Sequence, residues 1–106
     1  MKENMKKIST KQAAKNRTLM KIKRMMNDRC YFCGMKGCDL MHILPRSIFG
    51  EYMCEEWNLI IGCRSCHELF DGNRGFRRNH SDLFERVLAM VDDKDDGRVR
   101  KYFGMI

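Results

Sequence analysis

The sequence predicts a small α+β domain stapled by a metal ion, and three observations carry that expectation. Two C-x-x-C pairs, Cys30/Cys33 and Cys63/Cys66, bracket the middle of a 106-residue chain. Between them lie two short apolar runs, "DLMHIL" from residue 39 and "NLIIGC" from residue 58, which suit strands and are too short for helices. Beyond them, "SDLFERVLAMVDD" (81 to 93) spaces Leu83, Phe84, Val87, Leu88 and Val91 as one apolar helical stripe. A chain of this length is close to the size where a hydrophobic core alone gives only marginal stability, so a staple is expected.

The elements follow in order. Residues 1 to 27 form a basic N-terminal arm, with nine Lys or Arg against the single acid Glu3. Within it, Ala13, Ala14, Leu19, Met20, Ile22, Met25 and Met26 make a moderate helical pattern that Asn27 and Asp28 would stop. The several methionines here are expected to fill core. Residues 28 to 106 carry 12 basic and 13 acidic side chains, so the excess positive charge belongs to the arm. Such an arm suits a nucleic-acid backbone, because each Lys or Arg that neutralises a phosphate releases condensed counterions. A solvated tail that binds nothing in particular is the plain alternative.

Gly34 and Gly37 follow the first cysteine pair, as a tight metal knuckle requires. The first strand ends at Pro45, the only proline. Residues 46 to 56 make a loop before the second strand, and the two strands are expected to pair antiparallel. "CRSCHELFD" starts a short helix that Gly72 and Gly75 would end or kink. Ser81 is placed to cap the helix over 81 to 93. "DDKDDG" is an acidic stop, and the final "RVRKYFGMI" is expected to fold back as a strand.

Nothing resembles a secretory signal, and no stretch approaches the length of a membrane span. In the reducing cytoplasm that this suggests, paired cysteines read as thiolate ligands before they read as disulfides. Cys30, Cys33, Cys63 and Cys66 would give tetrahedral zinc four soft ligands and clamp the two ends of the strand-loop-strand unit. Cys38 and Cys54 are expected to be small buried residues, although Cys38 could replace one knuckle ligand.

With the four cysteines spent on zinc, His67 is spare. Its side chain leaves the helix in a different direction from that of Cys66 and points to a second site. "MHILPRS" (41 to 47), "WNLIIGC" (57 to 63) and "CRSCH" (63 to 67), with the upstream "CYFC", place His42, Asn58 and His67 in order. This arrangement, over residues 28 to 72, resembles the HNH endonuclease family of small phage and mobile-element proteins. The resemblance implies the ββα-metal fold, within a nuclease domain spanning residues 28 to 106.

The resemblance also implies a metal-dependent endonuclease that nicks DNA, leaving a 3′-hydroxyl and a 5′-phosphate. His42 would be the general base and His67 a ligand of the catalytic divalent ion, whether Mg, Mn, Ni or Zn. Asn58 would fix the loop around His42 or touch the metal, and Arg46 would hold a phosphate. One residue departs from the pattern: Met41 stands where many members have a hard ligand, and a thioether serves a hard ion poorly. Asp71, four residues after His67 and so on the same helix face, is the expected replacement, although before Gly72 it could be only a turn residue. Asp39 would sit roughly 7 Å from Met41 along an extended strand, which counts against it.

The remaining conspicuous residues have plainer expectations. His80 has no motif around it, and Trp57, Phe49 and Phe70 are expected in the core. The competing function is a catalytically silent zinc-stapled module that binds nucleic acid. A C-x-x-C redox protein would leave the His, Asn, His order without a role and lacks a βαβ pattern. DNA is the expected partner, without a membrane. A double-strand cut would require a homodimer or a larger phage or recombination complex.

Overall fold

A computed structural model describes residues 10–105. Residues 1–9 of the basic arm, with Lys2, Glu3, Lys6 and Lys7, and the final Ile106 lie outside the described residues. The described chain is α+β, with five α-helices and one two-stranded sheet. No helix among the described residues is long and apolar enough to cross a membrane.

Helix α1 (Thr10–Met25) is mostly polar, and Leu19 is its one buried residue. Leu19 and Ile22, one turn apart, pack with Met53 and Leu59, so a narrow apolar edge ties the helix to the domain. Lys23 and Arg24 complement the negative end of its dipole. The helix ends just before Asn27, as its pattern predicts, and the Asn27 side chain accepts from the Arg29 amide two residues on. Core filling by methionine holds at Met41 and Met53 but not in α1, where Met20 and Met25 are exposed.

The first knuckle then folds on itself. Gly34 has φ +77°, and the Cys30 amide donates to the Met35 carbonyl. At Gly37 a Cβ would lie 2.7 Å from Ile61 and 3.0 Å from the Cys30 nitrogen, so this approach requires glycine. Strand β1 (Asp39–His42) pairs antiparallel with β2 (Leu59–Gly62), His42 opposite Leu59 and Asp39 opposite Gly62. The predicted first strand thus stops at His42, short of Pro45. The intervening loop contains two single 3₁₀ turns, Gly50–Tyr52 and Glu56–Asn58.

Alternation along β1 divides its side chains between two environments. Met41, with Ile60 opposite, enters the main core, and a Cβ on Gly62 would overlap its sulfur. Leu40 and His42 instead line a cavity beside Leu19 of α1.

Helix α2 (Arg64–Gly72) ends at the glycine that the sequence marks. Asn73 then caps α3 (Arg74–Arg78), its side chain accepting from the Phe76 amide at 2.8 Å. Helix α4 (Ser81–Leu88) starts one residue earlier than expected: His80 is the N-cap and Ser81, expected to cap, is the first helical residue. It also ends before 93, where the backbone is diverted so that the Asp92 amide meets the Tyr52 hydroxyl.

The chain end corrects the expectation of a strand, for it forms helix α5 (Asp96–Phe103). Acidic residues at its start and Arg100 and Lys101 in its last turn suit the helix dipole, while Val99 and Phe103, four apart, are buried. Gly104, at φ +71°, closes it. Leu83, Phe84, Val87, Val99 and Phe103 meet Met41, Ile43, Leu44, Phe49, Tyr52, Ile60 and Phe70 in one core. Phe49 and Phe70 are therefore core residues as expected, with Trp57 partly buried against the same cluster.

Candidate functional site

Two centres lie on either side of the start of α2. At the first, Cys30 and Cys33 from the knuckle meet Cys63 and Cys66, and one sulfur from each lies within 4.8 Å of all the others. Tetrahedral zinc with Zn–S bonds of about 2.3 Å needs sulfurs about 3.8 Å apart. The Cys33 and Cys63 sulfurs are 3.8 Å apart, so the four could hold a zinc ion. Local folding brings them there: Cys63 is the N-cap of α2 and accepts from the Cys66 amide.

Their proton affinities diverge. At Cys30 the cost of burial is outweighed by backbone hydrogen bonds from Cys33, Cys63 and Phe32, and the thiol falls to about 6. Burial, reinforced by hydrogen bonds among the thiols, pushes Cys66 up to about 12. Four thiolates cannot accumulate here without a compensating cation. Cys38 is exposed and Cys54 only half-buried, contrary to the expectation that both are buried. Neither belongs to the four-sulfur cluster.

The second centre is a cavity of about 490 Å³ lined by Leu19, Leu40, His42, Pro45, Arg46, Ser47, His67 and Asp71. It brings together four of the residues singled out in the sequence, from β1, the loop and α2. His42 Nε2 lies 2.9 Å from the Met53 carbonyl, which can only accept, so the ring proton of the neutral histidine sits on Nε2. Nδ1 keeps its lone pair and has no hydrogen-bond partner among the described residues. Burial lowers the His42 pKa from its ordinary 6.5; the Met53 carbonyl opposes this, and the nearby Arg46 charge adds to it. The imidazole is therefore neutral at neutral pH.

Asn58 does not face the cavity. It is fully buried, and its side chain accepts from the Leu44 amide at 2.8 Å and donates to the Leu44 and Tyr52 carbonyls. It thus pins both ends of the segment that carries Arg46 and Ser47, and the role left to it is fixing the loop rather than touching a metal.

His67 is held between two carboxylates. Nδ1 is 2.9 Å from Asp39 and Nε2 is 3.1 Å from Asp71. Asp39, which its distance along the strand counts against as an ion ligand, does not line the cavity and instead meets His67, because the first turn of α2 crosses the start of β1. Asp39 is also bound by Arg64, and its carboxyl is held below its ordinary value first by the hydrogen bond to His67. With Nδ1–H donating to Asp39, Nε2 presents a lone pair toward the Asp71 carboxylate, a pairing that requires a proton or a cation. The Nε2–Asp71 separation is an ordinary ion-pair distance; His67 and Asp71 could also serve as two ligands of a divalent ion, but the one group of three or more possible ligands among the described residues is the four-cysteine cluster. Met41 contributes nothing here, because its side chain is in the core.

Sequence reasoning missed the Met53 carbonyl, a backbone group without a side-chain signature, and Leu19, which enters only because α1 docks across the loop. His80, without a motif, packs edge-on against Phe32 and beside Phe76. Among known proteins, the chain matches no family model, no curated sequence and no solved structure.

Proposed function

We propose that this chain is an HNH-type, metal-dependent endonuclease that nicks DNA by hydrolysing phosphodiester bonds. The observation that carries the reading is one shared cavity: a neutral histidine with one nitrogen fixed and the other free, a histidine-carboxylate pair that could ligate a divalent ion, and an exposed arginine. The order of two antiparallel strands and a helix around that cavity supports it.

In this reading His42 accepts the proton of the attacking water on Nδ1, while the Met53 carbonyl keeps the ring oriented. Arg46 binds a non-bridging phosphate oxygen. Asp39 orients His67 from behind, as carboxylates do for metal-bound histidines. His67 and Asp71 would hold a divalent ion, which when bound would supply Lewis-acid stabilisation of charge on the phosphate and the leaving oxygen. The four cysteines would hold a structural zinc that fixes the start of α2.

The second reading, a silent zinc-stapled nucleic-acid-binding module, is favoured by the burial of Met41, which leaves His67 and Asp71 as the ligand pair beside His42 among the described residues lining the cavity. Zinc-loaded protein incubated with supercoiled plasmid and Mg, Mn, Ni or added Zn separates the two. The nuclease reading expects nicked circles from the parent and a loss of about 10²-fold or more in His42→Ala, the usual contribution of a general base. If neither protein cuts with any ion while both retard DNA on a gel, the binding module is correct.

A further inference from the structure

Besides the basic helix α1, a one-signed surface lies beside the candidate cavity, in a furrow between α3 and α5. Two depressions, of about 360 and 290 Å³, share Arg74 and Lys101 and so form one continuous surface. Arg77 and Arg98 line one half, with Phe49 and Tyr102, and Arg78 lines the other. Five of the 12 cations of residues 28 to 106 lie here, and none of the 13 acids lines either half. In a stretch whose charges nearly cancel, this is a concentration of one sign.

The five cations are not equally available. Arg77 is buried and committed to the Phe70, Asp71 and Tyr102 carbonyls, with its guanidinium 3.9 Å above the Tyr102 ring. Arg98 is paired with Asp95 and Glu51. Arg74, Arg78 and Lys101 have no carboxylate within salt-bridge distance among the described residues, and all three are exposed. Three free cations along a furrow floored by aromatic rings suit a polyanion with a regular phosphate repeat.

The furrow also continues the catalytic cavity. Arg46 and Ser47 line the cavity, and the next two residues, Ile48 and Phe49, line the furrow. Arg77 ties the furrow wall to the Asp71 backbone, the residue beside His67. We propose that Arg74, Arg78 and Lys101 form a second docking surface for the nucleic-acid backbone, holding the duplex on the flank of the site. This rests on the reading that the chain acts on DNA, and adds where the substrate lies.

The test measures binding of a fluorescent 30-base-pair duplex to zinc-loaded protein over a salt series, in the His42→Ala background without added divalent ion so that no cleavage intervenes. The Arg74→Gln/Arg78→Gln/Lys101→Gln variant is compared, with circular dichroism melting of both to establish equal folding. Arg78→Glu alone serves as a milder second variant. Each lost phosphate contact lowers the salt slope by about 0.9, so the triple variant is expected to lose about 2 to 3 from the slope and at least about tenfold in affinity.

Unchanged affinity and slope in folded variants overturn the proposal. So does a loss confined to an acidic peptide probe, which would make the furrow a protein contact. Nicking by the parent with a furrow variant that binds normally removes this inference and keeps the nuclease reading. Furrow-dependent binding without nicking by the parent does the reverse.

Discussion

His42 offers two nitrogens with different fates, and its pH dependence follows from them. Nε2 is committed to Met53, so only Nδ1 can take a proton, and burial holds the pKa below 6.5. A base works when it is unprotonated. Nicking is therefore expected to rise tenfold per pH unit at acid pH and to bend toward its plateau about a midpoint below 6.5, the ordinary value. A rate limb centred above that value, measured on plasmid at saturating ion, would assign the base to another group. Asn58 makes a different residue-scale prediction. Asn58→Ala would leave the Leu44 amide and two buried carbonyls without their partner, at a cost of about 2 to 4 kcal/mol. A urea midpoint shift too small for that loss would show that the loop is held elsewhere.

At the scale of elements, α5 shows what a sequence hides. Its acidic start reads locally as a place where the preceding helix stops, and the same residues also begin the next one. Asp95 is buried and bonded to the Tyr52 hydroxyl and to Arg98, which depress its pKa below 3.8. The folded state thus binds this proton less readily than the unfolded one. The stabilisation is present above the ordinary value and disappears as pH falls through the depressed one. Acid titration of Asp95→Asn is expected to show a flatter loss of stability below about pH 4 than the parent, at the start of that window. An unaltered acid limb would mean that the bond contributes nothing. By contrast, β1, β2 and the end of α2 were legible, because apolar runs and Gly72 are local signals, although β1 stops at His42 rather than at Pro45. Asp71 was legible from helical periodicity. Asp39 was not, since its meeting with His67 depends on where α2 crosses β1, and the Met53 carbonyl depends on the loop's path.

At the scale of the molecule, the four-cysteine cluster joins the knuckle to α2, alongside the packing of Phe32 on the main core and the Tyr31 amide's bond to the Ile61 carbonyl. The knuckle at Cys30 and Cys33 is connected through it to the first turn of α2, and His67 follows Cys66 directly. Binding of structural zinc is worth about 10 to 16 kcal/mol in small domains, as large as the whole stability of a typical one. The main core draws on β1, the loop and β2 as well as on α2, α4 and α5, so it does not separate cleanly from the unit the metal clamps. One zinc per chain is therefore expected by native mass spectrometry, and chelation should abolish the cooperative thermal transition rather than merely lower it. Cys66→Ser should bind zinc weakly and melt at lower temperature. Nicking should fail in the chelated protein even when the catalytic ion is restored in excess, because the first turn of α2 no longer presents His67 to Asp39 and Asp71. Protein that loses its metal yet keeps its circular dichroism and melting temperature would leave the four cysteines without a structural role. The stability of the fold would then have to come from the aromatic and aliphatic core alone.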